Sequence, residues 1–327
     1  MVGSPSVSVH LLLVAAVLLA LASGANDGAA ILAANLGGQG LSPLRALVLL
    51  CAVVIVGPFI FGTAVATTVA HGLVSFSGAD GVNALTVAVM AAVMVAFGAS
   101  RLGLPTSITQ GLLGGIVGAG LGFGSQVDWG TVLRVLVLFV AAPFVAGTVA
   151  GLIAIGIAWL PHRGEVGAHL RRLHGGAYVA QCAAYAANDA QKLVAVFAIA
   201  RGAYGTPGAV LPSLTSQLII GLLFAIGTLI GVSRVGGRMS RKLIVAGPLT
   251  ASAADLGSAV AVLGSSLLGS PVSTPQAASA GLIGSTMAAG GYRTVRWNQA
   301  LSLGVVWVTT LPAGVALAAA VGLLLRG

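Results

Sequence analysis

The sequence predicts an all-α integral membrane protein made of two inverted-topology repeats, with broken or re-entrant helices and about ten membrane segments. Three observations support this fold class. First, 57% of the residues are hydrophobic and only 6% are charged, whereas soluble domains carry about 25% charged residues. Second, the apolar runs have the length of membrane helices, which favours a helical bundle over a barrel of short, alternating strands. Third, the chain repeats itself.

The repeat consists of short motifs that return at a nearly constant spacing. Ala-Asn-Asp at 25–27 returns at 187–189, which is 162 residues later. The pattern P-x-S-x-x-Q at 105–110 returns at 271–276, which is 166 residues later. Three shorter matches (Ser-Pro with Thr-Pro, Gly-Thr with Gly-Thr, GIVG with GLIG) fall in the same order. Such an ordered series indicates a tandem duplication.

Each half divides into five apolar segments. They are 6–34, 44–70, 83–100, 104–124 and 129–160 in the first half, and 175–200, 208–232, 244–266, 272–290 and 298–325 in the second. We therefore predict an N-terminal transmembrane repeat over 1–160, a short basic cytoplasmic linker over 161–173 and a C-terminal transmembrane repeat over 174–327.

The orientation follows from the basic residues, which cluster at 163–172, 234–242 and 293–296. Two apolar segments separate each cluster from the next, so all three clusters can face the cytoplasm, where basic residues of membrane proteins accumulate. This places both termini outside the cell. An odd number of segments in each half inverts the halves relative to each other. Inverted repeats with interrupted helices are found in many secondary transporters, with the site between the repeats.

A few ionisable residues interrupt the apolar segments. A charged residue at a helix centre costs about 2.5–3.5 kcal/mol on insertion scales, so such residues are usually functional. Asp27 and Asp189 recur with their Asn neighbours in both halves, which favours a functional role, whereas for Asp255 a structural role is equally open. Glycines flank the first pair in GANDG, and we expect the helix to break there. Backbone groups freed by a break can bind ions where they line a cavity.

The P-x-S-x-x-Q motifs supply an anion-binding element. Pro105 and Pro271 are predicted to be the first residues of helices, whose free N–H groups attract anions. Hydroxyl donors follow at Thr106, Ser107, Thr109, Ser273 and Thr274, with ordinary helix capping as the alternative role. Two carboxylates and a divalent anion cannot share a low-dielectric site unless cations or protons join them. Coupled symport has this electrostatic requirement.

These motifs resemble those of the inorganic phosphate transporter (PiT) family. GANDGAAILAANLGG is similar to the family's GANDVANA signature, and AANDAQKLVAVF to its second copy in the Gln-Lys form. GLPTSITQ and GSPVSTPQ resemble the family's P-V-S-T-T-H segments, and WVTTLP at 307–312 resembles its C-terminal A-W-x-x-T-L-P. The resemblance implies an inverted-repeat fold, phosphate held between the repeats, Na⁺- or H⁺-coupled uptake and a homodimer.

Site residues are carried over by position. The resemblance implies substrate contacts from Asn26, Asp27, Thr106, Ser107, Thr109, Asn188, Asp189, Lys192, Ser273 and Thr274. It implies a coupling-cation site at Asn26, Asp27, Asn188, Asp189 and Asp255, the last of which stands where the family often has a membrane-embedded Glu. Lys192 follows Asp189 by one helical turn and is expected to pair with it or with the anion, with snorkelling to the membrane interface as the alternative. The family's two His residues are Gln110 and Gln276 here, which removes two titratable groups.

The leading hypothesis is a phosphate symporter of the cell membrane, carrying free phosphate or a metal–phosphate complex. Within transport, the alternative is a permease for sulfate or another tetrahedral oxyanion. From a different class, the alternatives are an anion channel or a phosphate-binding sensor. The sequence has neither a phosphate-binding loop for ATP nor a nucleophile motif, so we expect no enzyme activity, no cofactor and no metal beyond the coupling ion. The residues leave the choice between Na⁺ and H⁺ open.

Overall fold

Among the residues that the computed structural model describes, six helices are long and apolar enough to cross a membrane. They lie at Val9–Asn35, Pro43–Phe61, Asp80–Ala99, Trp129–Ala158, Leu214–Val232 and Trp297–Arg326. The structure describes residues 5–37, 41–76, 78–101, 106–159, 166–201, 210–235 and 247–326. The chain is therefore a nearly all-helical, multi-pass membrane protein, whereas the count of about ten membrane segments stays a prediction.

The first half contains seven α-helices and two single π-helical turns among its described residues. They are α1 (Pro5–Ser23), the turn Gly24–Gly28, α2 (Ala29–Gly37), α3 (Pro43–Phe61), α4 (Ala64–Thr67), the turn Thr68–Gly72, α5 (Gly78–Arg101), α6 (Ile108–Phe123) and α7 (Trp129–Ala158). Two short strands, β1 (Val74–Ser75) and β2 (Gln126–Val127), pair antiparallel. This pairing connects the segment that follows the second π-helical turn with the segment that precedes α7.

The second half is described as five α-helices. They are α8 (Val166–Ala200), α9 (Leu214–Val235), α10 (Pro248–Leu267), α11 (Thr274–Gly290) and α12 (Trp297–Arg326), with a 3₁₀ turn at Tyr292–Thr294. These helices lie within a few residues of the predicted apolar segments, except that α8 begins earlier. Its first two turns include residues 166–173 of the predicted linker.

The predicted helix break at GANDG is wrong. Gly24–Gly28 form a π-helical turn that connects α1 to α2, and the N–H of Ala29 donates to the carbonyl of Gly24. In a π-helical turn the hydrogen bonds join residues five apart. The backbone groups therefore stay paired, whereas a helix break would leave them free. The chain does interrupt a helix further on, where α3 ends at Phe61 and Gly62 takes a positive φ of 76°. Glycine adopts that conformation without the steric cost other residues have.

The two halves interleave. The π-helical turn Gly24–Gly28 and α1 pack against α9, and α3 packs against α8. In the same way, α6 packs against α12 and α7 against α11. Each of these pairs joins one helix of the first half to one of the second. The core is therefore built from both halves, and residues from both meet at its centre.

Glycines allow the closest of these contacts. A Cβ atom at Gly24 would collide with the carbonyl of Phe224, and one at Gly28 with the Thr228 side chain. On the facing helix, Cβ atoms at Gly227 and Gly231 would meet the backbone of the first helix. Small residues four positions apart on both partners are typical of tight helix contacts in membranes. These contacts hold the π-helical turn that carries Asn26 and Asp27 directly against α9.

Candidate functional site

The first Asn-Asp pair lies on the π-helical turn between α1 and α2. Asn26 donates from Nδ2 to a carboxylate oxygen of Asp27 at 2.7 Å and to the main-chain carbonyl of Thr106 at 3.2 Å. Asp27 is buried. Single π-helical turns inside α-helices occur frequently at functional sites. The bond to Thr106 connects this turn to the segment just before α6.

The second Asn-Asp pair lies inside the uninterrupted helix α8. Asn188 donates from Nδ2 to Ser266 Oγ and to the carbonyl of Ser270, both at 3.0 Å. Its Oδ1 accepts from the N–H of Val272 at 3.0 Å. A side-chain amide offers two N–H donors and one carbonyl oxygen, so every polar group of Asn188 has a protein partner. Asn188 therefore fixes the segment that leads into α11.

Two helices begin beside these pairs, and a serine occupies the N-cap position of each. Ser107 precedes α6 with φ/ψ of −102°/111°, and Ser273 precedes α11 with −104°/109°. Ser107 accepts from the N–H of Gln110 at 3.2 Å, as an N-cap serine does. The prediction that Pro271 starts its helix is wrong, because the helix starts three residues later, after the serine cap. Pro105 lies outside the described residues.

Asp189 connects the two helix starts. Its carboxylate accepts hydrogen bonds from Thr109 Oγ1 at 3.3 Å and from Thr274 Oγ1. Thr109 belongs to the first turn of α6, and Thr274 to the first turn of α11. The positive ends of two helix dipoles thus lie next to one carboxylate, an arrangement that stabilises negative charge. It also provides the N–H groups and hydroxyls that an oxyanion site requires.

Lys192 forms a buried salt bridge with Asp189, with 2.7 Å between Nζ and Oδ1. Its ammonium also donates to Thr109 Oγ1 at 2.6 Å and to the carbonyl of Val272 at 2.7 Å. Of the two predicted partners, the carboxylate is the one observed. Asp27 also interacts electrostatically with Asp189 and with Lys192. The carboxylates of Asp27 and Asp189 and the ammonium of Lys192 thus form one cluster of interacting charges.

Tyr185 belongs to this cluster although the sequence did not suggest it. Its hydroxyl is buried with no hydrogen-bond partner among the described residues, and it interacts electrostatically with both Asp27 and Asp189. The ring packs against Phe224, with 5.3 Å between the ring centroids. Tyr185 precedes Asp189 by four residues on α8, and residues at that spacing are neighbours on a helix surface. That spacing could have identified it.

A small cavity lies between these side chains. It has a volume of about 10 Å³ and is lined by Leu19, Ser23, Asp27, Ile108, Thr109, Leu112, Asp189, Lys192 and Leu193. This is close to the minimum space for one water molecule. A bare cation or a water fits such a space, whereas a phosphate fits only if the side chains around it move apart.

Two predicted residues lie apart from this cluster. Asp255 on α10 interacts with Tyr178 and Cys182, and it precedes Ser266 by eleven residues, roughly 16 Å along the helix. The Thr106 hydroxyl is 3.1 Å from Thr310 Oγ1.

The direction of that threonine bond follows from its neighbour. Thr310 already donates to the carbonyl of Val306 at 2.6 Å, so Thr106 is the donor between the two hydroxyls. The Thr106 hydroxyl is thus directed to α12.

Gln191 is a second residue that the sequence did not suggest. Its Oε1 accepts from the N–H groups of Val65 at 2.9 Å and Ala66 at 3.2 Å. These N–H groups begin α4, directly after the interruption at Gly62, and would otherwise lack partners. A side chain of the second half therefore caps a helix of the first half. Gln191 and Val65 are 126 residues apart in the sequence, so no local sequence pattern predicts this contact.

Comparison with known proteins shows the family of the chain. The model of the phosphate transporter family matches residues 23–177 and 165–318. The chain belongs to this family. A probable low-affinity inorganic phosphate transporter of Mycobacterium tuberculosis (strain H37Rv) is 31% identical over 307 residues, covering 89% of this chain and 71% of that protein. A protein of the same description from Rhizobium meliloti (strain 1021) is 30% identical over 270 residues, covering 79% of each.

A solved structure also shares the fold. It is described as the sodium-dependent phosphate transporter, and it superposes with a TM-score of 0.82 over 98% of this chain and 99% of that chain. The sequence identity is 19%. The likeness therefore concerns the arrangement of the helices.

Proposed function

We propose that the chain is a secondary active transporter that takes up inorganic phosphate by cation-coupled symport. One observation carries the proposal: Asp27 and Asp189 lie beside the N-termini of α6 and α11, with Lys192 and with the hydroxyl of Ser273, which has no hydrogen-bond partner in the described part of the chain. The helix N-termini and hydroxyls attract an oxyanion, whereas the carboxylates repel it. The site binds both only when a cation enters with the anion.

Membership of the phosphate transporter family supports phosphate as the substrate, as do the descriptions of the relatives from M. tuberculosis and R. meliloti. The description of the structural relative as sodium-dependent supports Na⁺ over H⁺. Residues Asn26, Asp27 and Asp189 supply carbonyl and carboxylate oxygens, the ligand type that hard cations prefer. We assign phosphate contacts to Ser107, to Ser273 and to the helix N-termini. Thr109 and Thr274 donate to phosphate when their hydroxyls turn away from Asp189, to which both donate in the structure.

We also propose that residues 1–160 and 174–327 are inverted repeats joined by the linker 161–173, with both termini outside the cell. The nearly equal backbone angles at Ser107 and Ser273 support the repeat, as does the cross-packing of α6 with α12 and α7 with α11. A homodimer in the cell membrane completes the proposal. Reporter fusions at both termini test the orientation, and cross-linking in the membrane tests the dimer.

The transport proposal is tested by uptake of labelled phosphate into proteoliposomes. An inward Na⁺ gradient and an inward proton gradient are imposed separately, each with and without excess unlabelled sulfate. A parallel set contains a chelator, which separates free phosphate from a metal–phosphate complex. We expect one gradient to drive accumulation above the external concentration, with sulfate having little effect.

Three other results would each reject part of the proposal. Abolition of uptake by sulfate would make the chain a permease for sulfate or a similar oxyanion. Downhill phosphate flux that ignores both gradients would indicate an anion channel. Phosphate binding without any flux would indicate a sensor.

A further inference from the structure

We infer that Lys192 is a tethered cation that takes the place of a coupling cation at Asp189, so that a mobile cation is required only at Asp27. This inference rests on the proposed symport and specifies how its two carboxylates are neutralised. It assigns Lys192 a role in setting the number of coupling ions, instead of a contact with phosphate.

The ammonium of Lys192 has no donor left for an anion. An ammonium has three N–H donors, and those of Lys192 are directed to Asp189 Oδ1 at 2.7 Å, Thr109 Oγ1 at 2.6 Å and the carbonyl of Val272 at 2.7 Å. The side chain is buried. A phosphate contact would require one of these bonds to break inside the protein.

The three acceptors form a cation site in their own right. They are a carboxylate, a hydroxyl and a main-chain carbonyl, all oxygen ligands of the kind that hard cations select. They come from α8, α6 and the segment before α11, so the ammonium also holds these three parts together. A metal cation at the same point would have the same partners.

The first half lacks this lysine. The residue 162 positions before Lys192, the spacing of the two Asn-Asp pairs, is Ala30. Asp27 instead accepts a hydrogen bond from the neutral amide of Asn26 at 2.7 Å. The duplicated site is therefore asymmetric: the carboxylate at Asp189 has a built-in positive charge, and the one at Asp27 does not.

The charges of the three side chains determine how many coupling cations the site needs. Asp27, Asp189 and Lys192 interact with one another, and when all are ionised they carry a net charge of −1. Charges in a buried site must be compensated before an anion can join them. One mobile cation at Asp27 neutralises the group, whereas two would be needed without the lysine. Lys192 thereby lowers by one the number of cations carried for each phosphate.

The test measures the number of coupling cations per phosphate in proteoliposomes, from the cation gradient that balances a known phosphate gradient at zero net flux. Wild type is compared with Lys192→Met and with Asp189→Asn/Lys192→Met. Methionine keeps the length of the lysine stem and removes the ammonium, which leaves the three oxygens to a cation from solution. The double variant removes both members of the ion pair, so its site carries the wild-type net charge.

We expect Lys192→Met to transport with one more cation per phosphate, and its uptake to rise more steeply with cation concentration, because a second cation must neutralise the buried carboxylate that has lost its partner. We expect the double variant to return to the wild-type number and to the wild-type steepness.

The inference is overturned if both variants keep the wild-type number and lose phosphate affinity equally, since Lys192 would then be a phosphate ligand. It is also overturned if the double variant differs from the wild type in the number of cations per phosphate as much as the single variant does. A wild type without gradient-driven uptake rejects the proposed symport itself, a result that the wild-type arm shows independently of the variants.

Discussion

Gln110 and Gln276, the equivalent residues of the two P-x-S-x-x-Q motifs, bind each other: Nε2 of Gln276 donates to Oε1 of Gln110 at 2.9 Å. Each glutamine is the third residue of its helix after the serine cap, a position from which glutamine often reaches back to the cap. Here the two side chains instead tie α6 to α11. The contact joins the starts of the two helices that border the candidate site.

Breaking this contact from one side should destabilise the protein. In Gln276→Leu the buried amide of Gln110 loses its partner, which costs about 1–3 kcal/mol. The double variant Gln110→Leu/Gln276→Leu should be less destabilised than the sum of the single variants, because no polar group is then left without a partner. Thermal unfolding in detergent measures all four proteins. Strictly additive losses would show that the two glutamines do not interact.

The glycine contact between the first π-helical turn and α9 should tolerate no side chain. In Gly227→Val the new atoms would overlap the backbone at Leu21 and Ala25, so the helices must separate and the folded yield should fall severely. Gly304→Val is the matched control, because a Cβ there meets nothing within 4 Å. Size-exclusion profiles after membrane extraction compare the two. Equal profiles would refute the close approach.

Ser273 should contribute to phosphate binding without contributing to the stability of the fold. Its hydroxyl is buried and has no partner among the described residues, so Ser273→Ala removes no bond that holds the fold. Loss of a hydrogen bond to a charged ligand, about 1.5–3 kcal/mol, should raise the phosphate KM roughly 10- to 100-fold. Ser279→Ala on the same helix is the control, since that hydroxyl donates to the carbonyl of Pro275. An unchanged KM in Ser273→Ala would remove Ser273 from the site.

Gln191 should stabilise the interruption that follows α3. Gln191→Leu leaves the N–H groups of Val65 and Ala66 without an acceptor, which should cost about 1–3 kcal/mol of stability. Gln217→Leu is the control, because both polar atoms of the buried Gln217 amide lack partners among the described residues. That replacement should be neutral or stabilising. The melting temperatures of the two variants should therefore shift in opposite directions or differ clearly in size.

The sequence predicted those features that depend on local pattern. Apolar length located the helices, and the repeated Asn-Asp pairs located Asp27 and Asp189, which the structure brings together with Lys192 and Thr109. The start of α11 was misplaced because Pro271 is a strong local signal for a helix start, whereas the helix begins at Thr274, with Ser273 at the N-cap position. The π-helical turn was missed because glycines beside polar residues indicate an interruption equally well.

Contacts between distant parts of the chain could not be predicted from local sequence patterns. Gln191 caps α4 across 126 residues, and Gln276 meets Gln110 across 166. Only the packing of one half into the other brings these atoms within hydrogen-bond distance. The position of Asp255, away from the cluster, follows from the same packing.

The central claim is that phosphate binds together with a cation that neutralises Asp27. Equilibrium binding of phosphate to the purified protein tests it most directly, measured at increasing Na⁺ and, separately, at decreasing pH, in wild type and in Asp27→Asn. Binding of two ligands at coupled sites is reciprocal, so the phosphate Kd of the wild type should fall as the coupling cation rises. The variant should bind phosphate with a Kd that does not depend on that cation. Because phosphate itself titrates, the pH series is judged by the difference between the two proteins. A wild-type Kd that ignores both cations, or a variant that keeps the full dependence, would contradict the account.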